Sequence, residues 1–291
     1  MQLRAAVELA TARLSTGPHP DRARPDAELL LLHLMGKNRA WLLAHAEEEF
    51  GGCTALRYAS LVDRRLTGDP IQHITGEAEF FGLPFRVTRD VLIPRPETEH
   101  LVERTIQLLP LFPEPRIVDV GTGSGAIAIA LAHEWPRAAI TAIDTSSAAL
   151  ELARLNAKRI GFSGRVRFLL GDLLEPVASE RFDFVVSNPP YVPEADRPSL
   201  SVEVRDFEPA LALFAGKDGL DVYRRLIPDA AKVIRPGGFL LLEIGFGQAE
   251  AVSGLFKAGG FEQIEGTRDL QGITRVLCGQ LNESQSPTRQ A

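Results

Sequence analysis

The feature that most constrains the fold is a regular alternation of strand-like and helix-like patterns that begins at Arg116. Five apolar runs have the length of buried strands: RIVDV, AAITAID, RVRFLL, FDFVVS and GFLLLEI. The later segment FEQIEGTRDLQGITRVLCGQ predicts two further strands around a loop. Strands that alternate with helices are typical of a mostly parallel sheet covered on both faces. The sequence therefore predicts an α/β fold.

The first 75 residues carry a different pattern, in which apolar residues recur at helical spacing. The segments AAVELATARL, DAELLLLHLMG and Cys53 to Leu66 follow it, and it indicates a small helical bundle. Alternating apolar residues around Gly82 and Pro84 then indicate a β-hairpin or extended linker, and Pro96 opens a further helix. We predict an N-terminal helical domain at 1–75, a hairpin linker at 76–96, a larger domain at 97–280 and a disordered tail at 281–291.

Composition excludes several functional classes. The formal net charge of −6 gives no overall basic field for binding nucleic acid. No apolar stretch approaches the roughly 20 residues of a membrane helix, and the N-terminus lacks the apolar core of a secretion signal. Cys53 and Cys278 are far apart, and the six histidines lack ligand spacing, so no metal site is indicated. We expect a cytoplasmic protein with reduced thiols.

A glycine-rich turn follows the first strand of the alternating region. The segment VDVGTGSGAIAIALA places Gly121, Gly123 and Gly125 between a strand and an apolar helix. Glycines allow a sharp turn and a close approach to a ligand, and the helix N-terminus adds N–H donors and a positive dipole end. A dinucleotide fingerprint would have its third glycine at Ala126, where alanine is permitted. A nicotinamide cofactor and a plain strand–helix connection both remain open at this point.

Three aspartates lie near the ends of the predicted strands. Asp144 ends AAITAID about twenty residues beyond the glycines, where a carboxylate can accept hydrogen bonds from ribose hydroxyls. Asp172 follows the next strand and is placed to accept from an adenine amino group, with Leu173 packing on the ring. Either carboxylate could instead be a helix N-cap. Asp119 either faces the ligand or holds the glycine turn.

The tetrapeptide Asn188-Pro189-Pro190-Tyr191 carries the most specific chemical signal. It follows the apolar run FDFVVS, so it lies at the carboxyl end of a strand, where open α/β sheets bind ligands. Each proline fixes its own φ and biases the preceding residue toward extended geometry. The side-chain oxygen of Asn188 and a neighbouring main-chain oxygen then form a rigid pair of acceptors, which suits a planar NH2 group.

Together these motifs resemble the class I S-adenosylmethionine-dependent methyltransferases. The combination of DVGTGSGAIAIALA, Asp144 and NPPY is similar to the subgroup that methylates planar amino or amide nitrogens. The segments LIPRPETE, FEPALALFAGKDGLDVYRRLI and GGFLLLEIGFGQ look like the glutamine N5-methyltransferases that modify peptide chain release factors, the PrmC/HemK family. The resemblance spans roughly residues 1–280. It implies a Rossmann-like seven-stranded methyltransferase sheet. Because the N-terminal helices carry no chemical motif, we expect them to dock the protein substrate, and we expect a monomer.

The resemblance also implies roles for single residues. The turn, residues Gly121, Thr122, Gly123, Ser124 and Gly125, would wrap the methionine part of S-adenosylmethionine, with S-adenosylhomocysteine as the product. Asp144 would bind the ribose, and Asp172 with Leu173 would lie at the adenine. Some relatives have an aromatic residue at the position of Leu173, so stacking is weaker here. Asn188 would bind the substrate amide beside the cofactor methyl, and the substrate would be the glutamine of the GGQ loop in class I release factors.

We expect the side-chain oxygen of Asn188 and the carbonyl of Pro189 to accept the two N–H bonds of that glutamine, with Pro190 stiffening the bend. Tyr191 would form a wall against the amide plane, or else be a core tyrosine with a satisfied hydroxyl. Arg95 and Glu97 shape the active-site entrance, pair with the substrate loop or form an interdomain ion pair, and Glu243 is interpreted as structural.

Two rival functions remain at the level of sequence. An adenine-N6 DNA or guanine-N2 RNA methyltransferase also needs a motif that grips an exocyclic NH2 group. Such an enzyme is expected to show a basic recognition region, whereas residues 1–90 have comparable numbers of acidic and basic side chains. The non-enzymatic alternative is a scaffold that binds a translation factor, but the glycines and Asn188 are intact.

Overall fold

Residues 1–282 are described by the computed structural model, and they divide into two units. The first unit contains residues 1–77 together with 200–207. The second contains residues 78–199 and the described residues from 208 onward. The segment 200–207, which the sequence pattern placed in the larger domain, therefore packs with the N-terminal helices.

The first unit is helical, as predicted. The three expected helices are α1 (Leu3–Leu14), α2 (Ala23–Met35) and α4 (Gly52–Leu66). Two shorter helices, α3 (Arg39–Ala44) and α5 (Ile71–Thr75), were not predicted because so few residues cannot show helical periodicity. None of the helices within residues 1–282 is long and apolar enough to cross a membrane.

A buried ion-pair network explains why a later helix, α9 (Val202–Phe207), belongs to this unit. The Arg65 side chain is only 5% exposed, and its Nε donates to Asp26 Oδ2 at 2.7 Å. Its Nη1 donates to Glu203 on α9. A buried guanidinium is stable only when it is paired, so α9 supplies a charge that the N-terminal helices need.

The second unit begins with the predicted hairpin. Its strands are β1 (Glu77–Phe80) and β2 (Leu83–Arg86), which pair with each other. A single 3₁₀ turn over Pro96–Thr98 then leads into α6 (Glu99–Leu108), in agreement with the helix expected to start at Pro96. Proline suits this position because its fixed φ matches the first helical turn and no N–H is needed there.

Within residues 1–282 the main sheet has seven strands, which confirms the predicted fold. Their order is β5-β4-β3-β6-β7-β9-β8. The strands β3 to β7 run parallel, whereas β9 is antiparallel to β7 and to β8. The strands are β3 (Arg116–Val120), β4 (Ala139–Asp144), β5 (Val166–Leu170), β6 (Phe182–Ser187), β7 (Ile234–Glu243), β8 (Phe261–Arg268) and β9 (Thr274–Leu281). The helices between them are α7 (Ala126–Glu134), α8 (Ser147–Ile160), α10 (Asp221–Val233) and α11 (Ala249–Ala258).

Two limits of the strands differ from the sequence prediction. The strand β7 begins at Ile234 rather than Gly238, because Ile234 pairs with Phe182 ahead of an irregularity in the register. The last strand includes Leu281, which is buried. Residues 283–291, for which we predicted disorder, lie outside the described residues.

Apolar side chains cover both faces of the sheet. All six residues of β6 are buried, with Phe184 and Val186 in the core on one face and Val185 in the core on the other. This burial explains the continuous apolar run, since a parallel strand covered on both sides has no polar face. The chain order reverses between β3 and β6, and that switch point is where open sheets form ligand crevices.

One buried side chain connects the hairpin to the glycine turn. Asn156 on α8 is fully buried; its Oδ1 accepts from the Arg86 N–H at 2.8 Å. Its Nδ2 donates to the carbonyl of Arg86 at 3.0 Å and to that of Ser124 at 2.9 Å. The amide therefore satisfies three main-chain groups that strands and helices leave unpaired, and it holds β2 against the turn after β3.

Replacing Asn156 with alanine should destabilise the second unit. The change leaves the buried carbonyl of Ser124 and the partly buried main-chain groups of Arg86 without their partner, which costs about 1–3 kcal/mol of unfolding free energy. Chemical denaturation of the full chain measures this loss. The exposed Glu151 on the same helix provides the matched control, since Glu151→Ala should change stability by less than about 0.5 kcal/mol. Equal stabilities of the two variants would contradict the role of Asn156.

Candidate active site

A cavity of about 390 Å³ opens at the carboxyl ends of β3, β4 and β6. This volume falls within the range of about 300–1,000 Å³ that is typical of small-molecule sites. Ten of the residues predicted for the site line it: Gly121, Thr122, Gly123, Ser124, Asp144, Asp172, Leu173, Asn188, Pro189 and Pro190. Of the predicted residues, all within the described part of the chain, Gly125 and Tyr191 do not reach the lining.

The glycine turn is tied to the end of β4 through its main chain. The N–H groups of Gly121 and Thr122 both donate to the carbonyl of Ile143, at 2.9 and 3.0 Å. Gly125, at φ +83°, begins α7, and a Cβ there would lie 3.1 Å from the Cβ of Ala153 on α8. Gly125 therefore allows the close packing of α7 on α8 behind the cavity, although it does not line the cavity itself.

Asp144 bridges the glycine turn and the start of α8. Its Oδ2 accepts from the N–H of Gly123 at 2.8 Å, and its Oδ1 accepts from the N–H of Ser146 at 2.9 Å. The N-cap of α8 is Ser146, whose hydroxyl accepts from the N–H of Ala149. The alternative in which Asp144 caps this helix is therefore excluded. Each carboxylate oxygen keeps lone-pair capacity for a ligand hydroxyl.

Asp172 lies at the cavity rim, where its carboxylate pairs with Arg225 of α10. Both side chains are substantially exposed, at 41% and 57%, so this ion pair contributes little to stability. Its effect is to orient the carboxylate. Next to it, Leu173 has a positive φ of 48°, which is strained for a non-glycine residue. This backbone places Leu173 among the cavity-lining residues.

Asp119 holds the glycine turn from behind. The residue is fully buried, and its Oδ2 accepts from the Thr122 hydroxyl at 2.6 Å. Burial raises the pKa of Asp119 to about 7, and the nearby Asp144 adds to the increase, whereas the hydrogen bond from Thr122 opposes it. Asp119 is not among the lining residues. The geometry favours the turn-holding role over direct contact with a ligand.

The NPPY segment is anchored directly to the glycine turn's strand. The hydroxyl of Ser187, the last residue of β6, donates to the carbonyl of Val120 at 2.6 Å. Asn188 follows, half-buried, and its Nδ2 donates to Thr98 Oγ1 at 3.0 Å. The Thr98 hydroxyl in turn donates to Glu243 Oε2 at 2.6 Å. The Asn188 side chain is therefore held at the cavity by the residue that precedes α6.

Tyr191 does not lie with the other three residues of its motif. Its ring packs against the apolar core on one face of the sheet, and its hydroxyl donates to Glu243 Oε1 at 3.3 Å. Its carbonyl accepts from Gln248 Nε2 at 2.9 Å. Of the two interpretations drawn from the sequence, this placement favours a core tyrosine with a satisfied hydroxyl.

Glu243 and Arg95 have partners that the sequence could not reveal. Burial raises the pKa of Glu243 to about 7, with Glu97 adding to the increase, while the hydrogen bonds from Thr98 and Tyr191 oppose it. Arg95 lines the cavity and its Nη2 donates to Glu208 Oε2 at 2.6 Å. Both members of this pair belong to the second unit, so it is not the interdomain ion pair considered from the sequence.

Thr98 and Arg225 are among the cavity-lining residues that were missed at the level of sequence. Thr98 lies within the quoted segment LIPRPETE, and Arg225 lies on α10. Neither belongs to a recognisable chemical motif by itself. Each becomes informative only through a partner that lies 53 or more residues away in the chain.

Comparison with known proteins identifies two matching family models and several similar relatives. Residues 99–204 match the Methyltransferase small domain, and residues 5–76 match the PrmC N-terminal domain. The chain is 47% identical to the release factor glutamine methyltransferase of Moorella thermoacetica, over 89% of this chain and 91% of that one. It is 41% identical to that of Koribacter versatilis, over 96% and 98% of the two chains.

The chain belongs to the release factor glutamine methyltransferase family. This confirms the resemblance drawn from its motifs. Among solved structures, the 16S rRNA N2 G1207 methyltransferase of Thermus thermophilus, in complex with AdoMet and guanosine, superposes with a TM-score of 0.52 at 20% identity. The match covers 71% of this chain and 50% of that one. At this identity the likeness shows the shared methyltransferase fold alone.

Replacing Asp119 with asparagine should change how stability depends on pH. The folded pKa of about 7 lies above the ordinary value of 3.8, so the wild-type chain loses stability as the pH rises between these values. The always-neutral asparagine avoids this loss, which amounts to as much as ~4 kcal/mol. Urea denaturation of both chains from pH 4 to 8 measures it. A free-energy difference that stays flat across this range would refute the assignment.

Proposed function

We propose that this chain transfers the methyl group of S-adenosylmethionine to the side-chain amide nitrogen, N5, of the glutamine in the GGQ motif of class I release factors. The observation that carries the proposal is the position of Asn188, whose anchored amide lines the same cavity as the glycine turn and Asp144. The names of the relatives support release factor glutamine as the substrate.

The residues present fit S-adenosylmethionine. Asp144, fixed at the end of β4, would bind the ribose hydroxyls, and the glycine turn with the N-terminus of α7 would hold the methionine part. Asp172 and Leu173 would lie at the adenine, with Asp172 oriented by Arg225. When bound, the cofactor supplies an electrophilic methyl group on a sulfonium.

Positioning accounts for much of the catalysis. An amide nitrogen is a poor nucleophile because its lone pair is delocalised into the carbonyl. The side-chain oxygen of Asn188 and the carbonyl of Pro189 would accept the two N–H bonds of the substrate glutamine. These acceptors orient the nitrogen toward the methyl group and stabilise the positive charge that grows on it. As the N–C bond forms the S–C bond breaks, and the nitrogen then releases one proton.

Transfer to nucleic acid is not favoured, since the relatives are named for release factor glutamine. Incubation with labelled S-adenosylmethionine and purified release factor, DNA or RNA separates these substrates. We expect label in the release factor alone and none when its GGQ glutamine is replaced. The methylated residue is then located in a digest of the product.

Replacing Asn188 with alanine should reduce turnover on release factor by about 10² to 10³. This is the loss expected when one preorganised hydrogen-bonding group is removed from a catalytic centre. Single-turnover methyl transfer with saturating cofactor measures the effect. Near-normal turnover of the variant would show that the Asn188 amide does not hold the substrate.

Replacing Asp144 with alanine should weaken binding of S-adenosylmethionine by about 10- to 100-fold, as expected for losing hydrogen bonds to a charged group. Part of the loss comes from releasing the N–H of Gly123. Isothermal titration calorimetry measures the affinity. Ser147→Ala, an exposed position on α8, is the matched control and should bind like the wild type. An unchanged affinity for Asp144→Ala would refute the ribose assignment.

A further inference from the structure

The orientation of the Asn188 amide is the critical variable of the proposed mechanism. An asparagine amide has two edges of nearly the same shape, one with an acceptor oxygen and one with two N–H donors. If the N–H edge faced the cavity, it would meet the N–H groups of the substrate glutamine and repel them. The protein must therefore select one of the two orientations.

We propose that Thr98 and Glu243 are positioning residues that hold the oxygen edge of Asn188 toward the substrate. This inference rests on the proposed function and adds to it the groups that make Asn188 competent. Thr98 is buried at the turn before α6, and Glu243 is buried at the end of β7. Together with Asn188 at the end of β6, they form a continuous hydrogen-bond network.

Counting the available protons shows which group donates and which accepts in each of these hydrogen bonds. The Thr98 hydroxyl has one proton, and the contact of 2.6 Å with Glu243 Oε2 uses it, because an ionised carboxylate can only accept. Thr98 Oγ1 can then only accept from Asn188, so it selects the Nδ2 edge, which lies 3.0 Å away. The Oδ1 edge of Asn188 is consequently the one that can face the substrate.

Other groups hold Glu243 in place as an acceptor. The Tyr191 hydroxyl donates to its Oε1 at 3.3 Å, so each carboxylate oxygen receives one hydroxyl. The main chain of Glu243 is also anchored, since its carbonyl accepts from the buried Tyr223 hydroxyl at 2.9 Å. These contacts make Tyr191 part of the same hydrogen-bond network, although it lies outside the cavity lining.

The charges around Glu243 bear on its protonation. Glu97 beside Thr98 opposes ionisation, and Arg275 of β9 favours it, while the hydroxyls of Tyr191 and Thr98 donate to the ionised form. Burial dominates and raises the pKa of Glu243 to about 7. Below this pH a protonated Glu243 can donate, the Thr98 proton is free to turn toward Asn188, and the selection of the oxygen edge is lost. Methyl transfer should therefore decline as the pH falls through about 7.

The test replaces Thr98 with valine, which has a similar shape and no hydroxyl. We expect the kcat for release factor methylation to fall by about 10- to 100-fold, since a misplaced reacting group can reduce the rate about 10²-fold. The KM for release factor and the affinity for S-adenosylmethionine should change less than about threefold. Thr98→Ser keeps the hydroxyl and is the matched control, so it should restore most of the activity.

A double-mutant cycle separates positioning from a general structural effect. If Thr98 acts through Asn188, Thr98→Val should have little further effect in the Asn188→Ala background, because the amide that it orients is gone. A second variant, Glu243→Gln, introduces an amide in place of the carboxylate and should lower kcat in the same direction. This variant should also remove the decline of activity as the pH falls through 7. If Thr98→Val fails to fold, Glu243→Gln tests the positioning role in its place.

The outcomes distinguish this inference from the proposed function. An active wild type together with fully active Thr98→Val and Glu243→Gln variants would overturn the positioning role and leave the proposed function intact. Equal losses from Thr98→Val in the wild-type and Asn188→Ala backgrounds would also overturn it. A wild-type enzyme that transfers no methyl group to release factor would overturn both.

Discussion

Parallel pairing of β3 with β6 is the constraint on which the site depends. It brings the carboxyl ends of these strands side by side, and the Ser187 hydroxyl closes the junction by donating to the carbonyl of Val120. The glycine turn after β3 and the NPPY segment after β6 therefore meet at one cavity. Because β6 is buried on both faces, neither segment can shift without disturbing the core, so the sheet sets the positions of the glycine turn and the NPPY segment.

Around this junction, buried polar side chains form hydrogen bonds that the regular pairing of strands and helices does not provide. Asn156 satisfies main-chain groups of the hairpin and the turn, Asp119 holds the turn through Thr122, and Glu243 receives the hydroxyls of Thr98 and Tyr191. Burial of the two carboxyl groups raises their pKa values toward neutrality. The hydrogen bonds follow from the need of a buried polar group for partners of defined geometry, whereas the raised pKa values follow from the loss of solvent around the charged form. Through these contacts the buried side chains hold the glycine turn and Thr98, both of which line the cavity.

Much of the fold was predictable because local sequence patterns determine it. The strand–helix alternation, the hairpin around Gly82 and the helix opening at Pro96 all depend on neighbouring residues, and the structure confirms them. The predictions were wrong where contacts between residues distant in the sequence determine the structure. The segment 200–207 joins the first unit because Glu203 pairs with Arg65, and β7 starts early because Ile234 finds Phe182. Neither pairing leaves a periodic signal in the sequence.

The sequence by itself determined the glycine turn, Asp144 and the NPPY segment, and the element that carries each of them. A proline-stiffened asparagine after a buried strand and a glycine turn before a helix are local features, set by backbone sterics. Tertiary structure decided that the Nδ2 edge of the Asn188 amide donates to Thr98 and that Tyr191 lies in the core. Thr98 in turn donates to Glu243, which is separated from it by 145 residues. A hydrogen bond between residues so far apart exists only once the sheet has brought their strands and helices together.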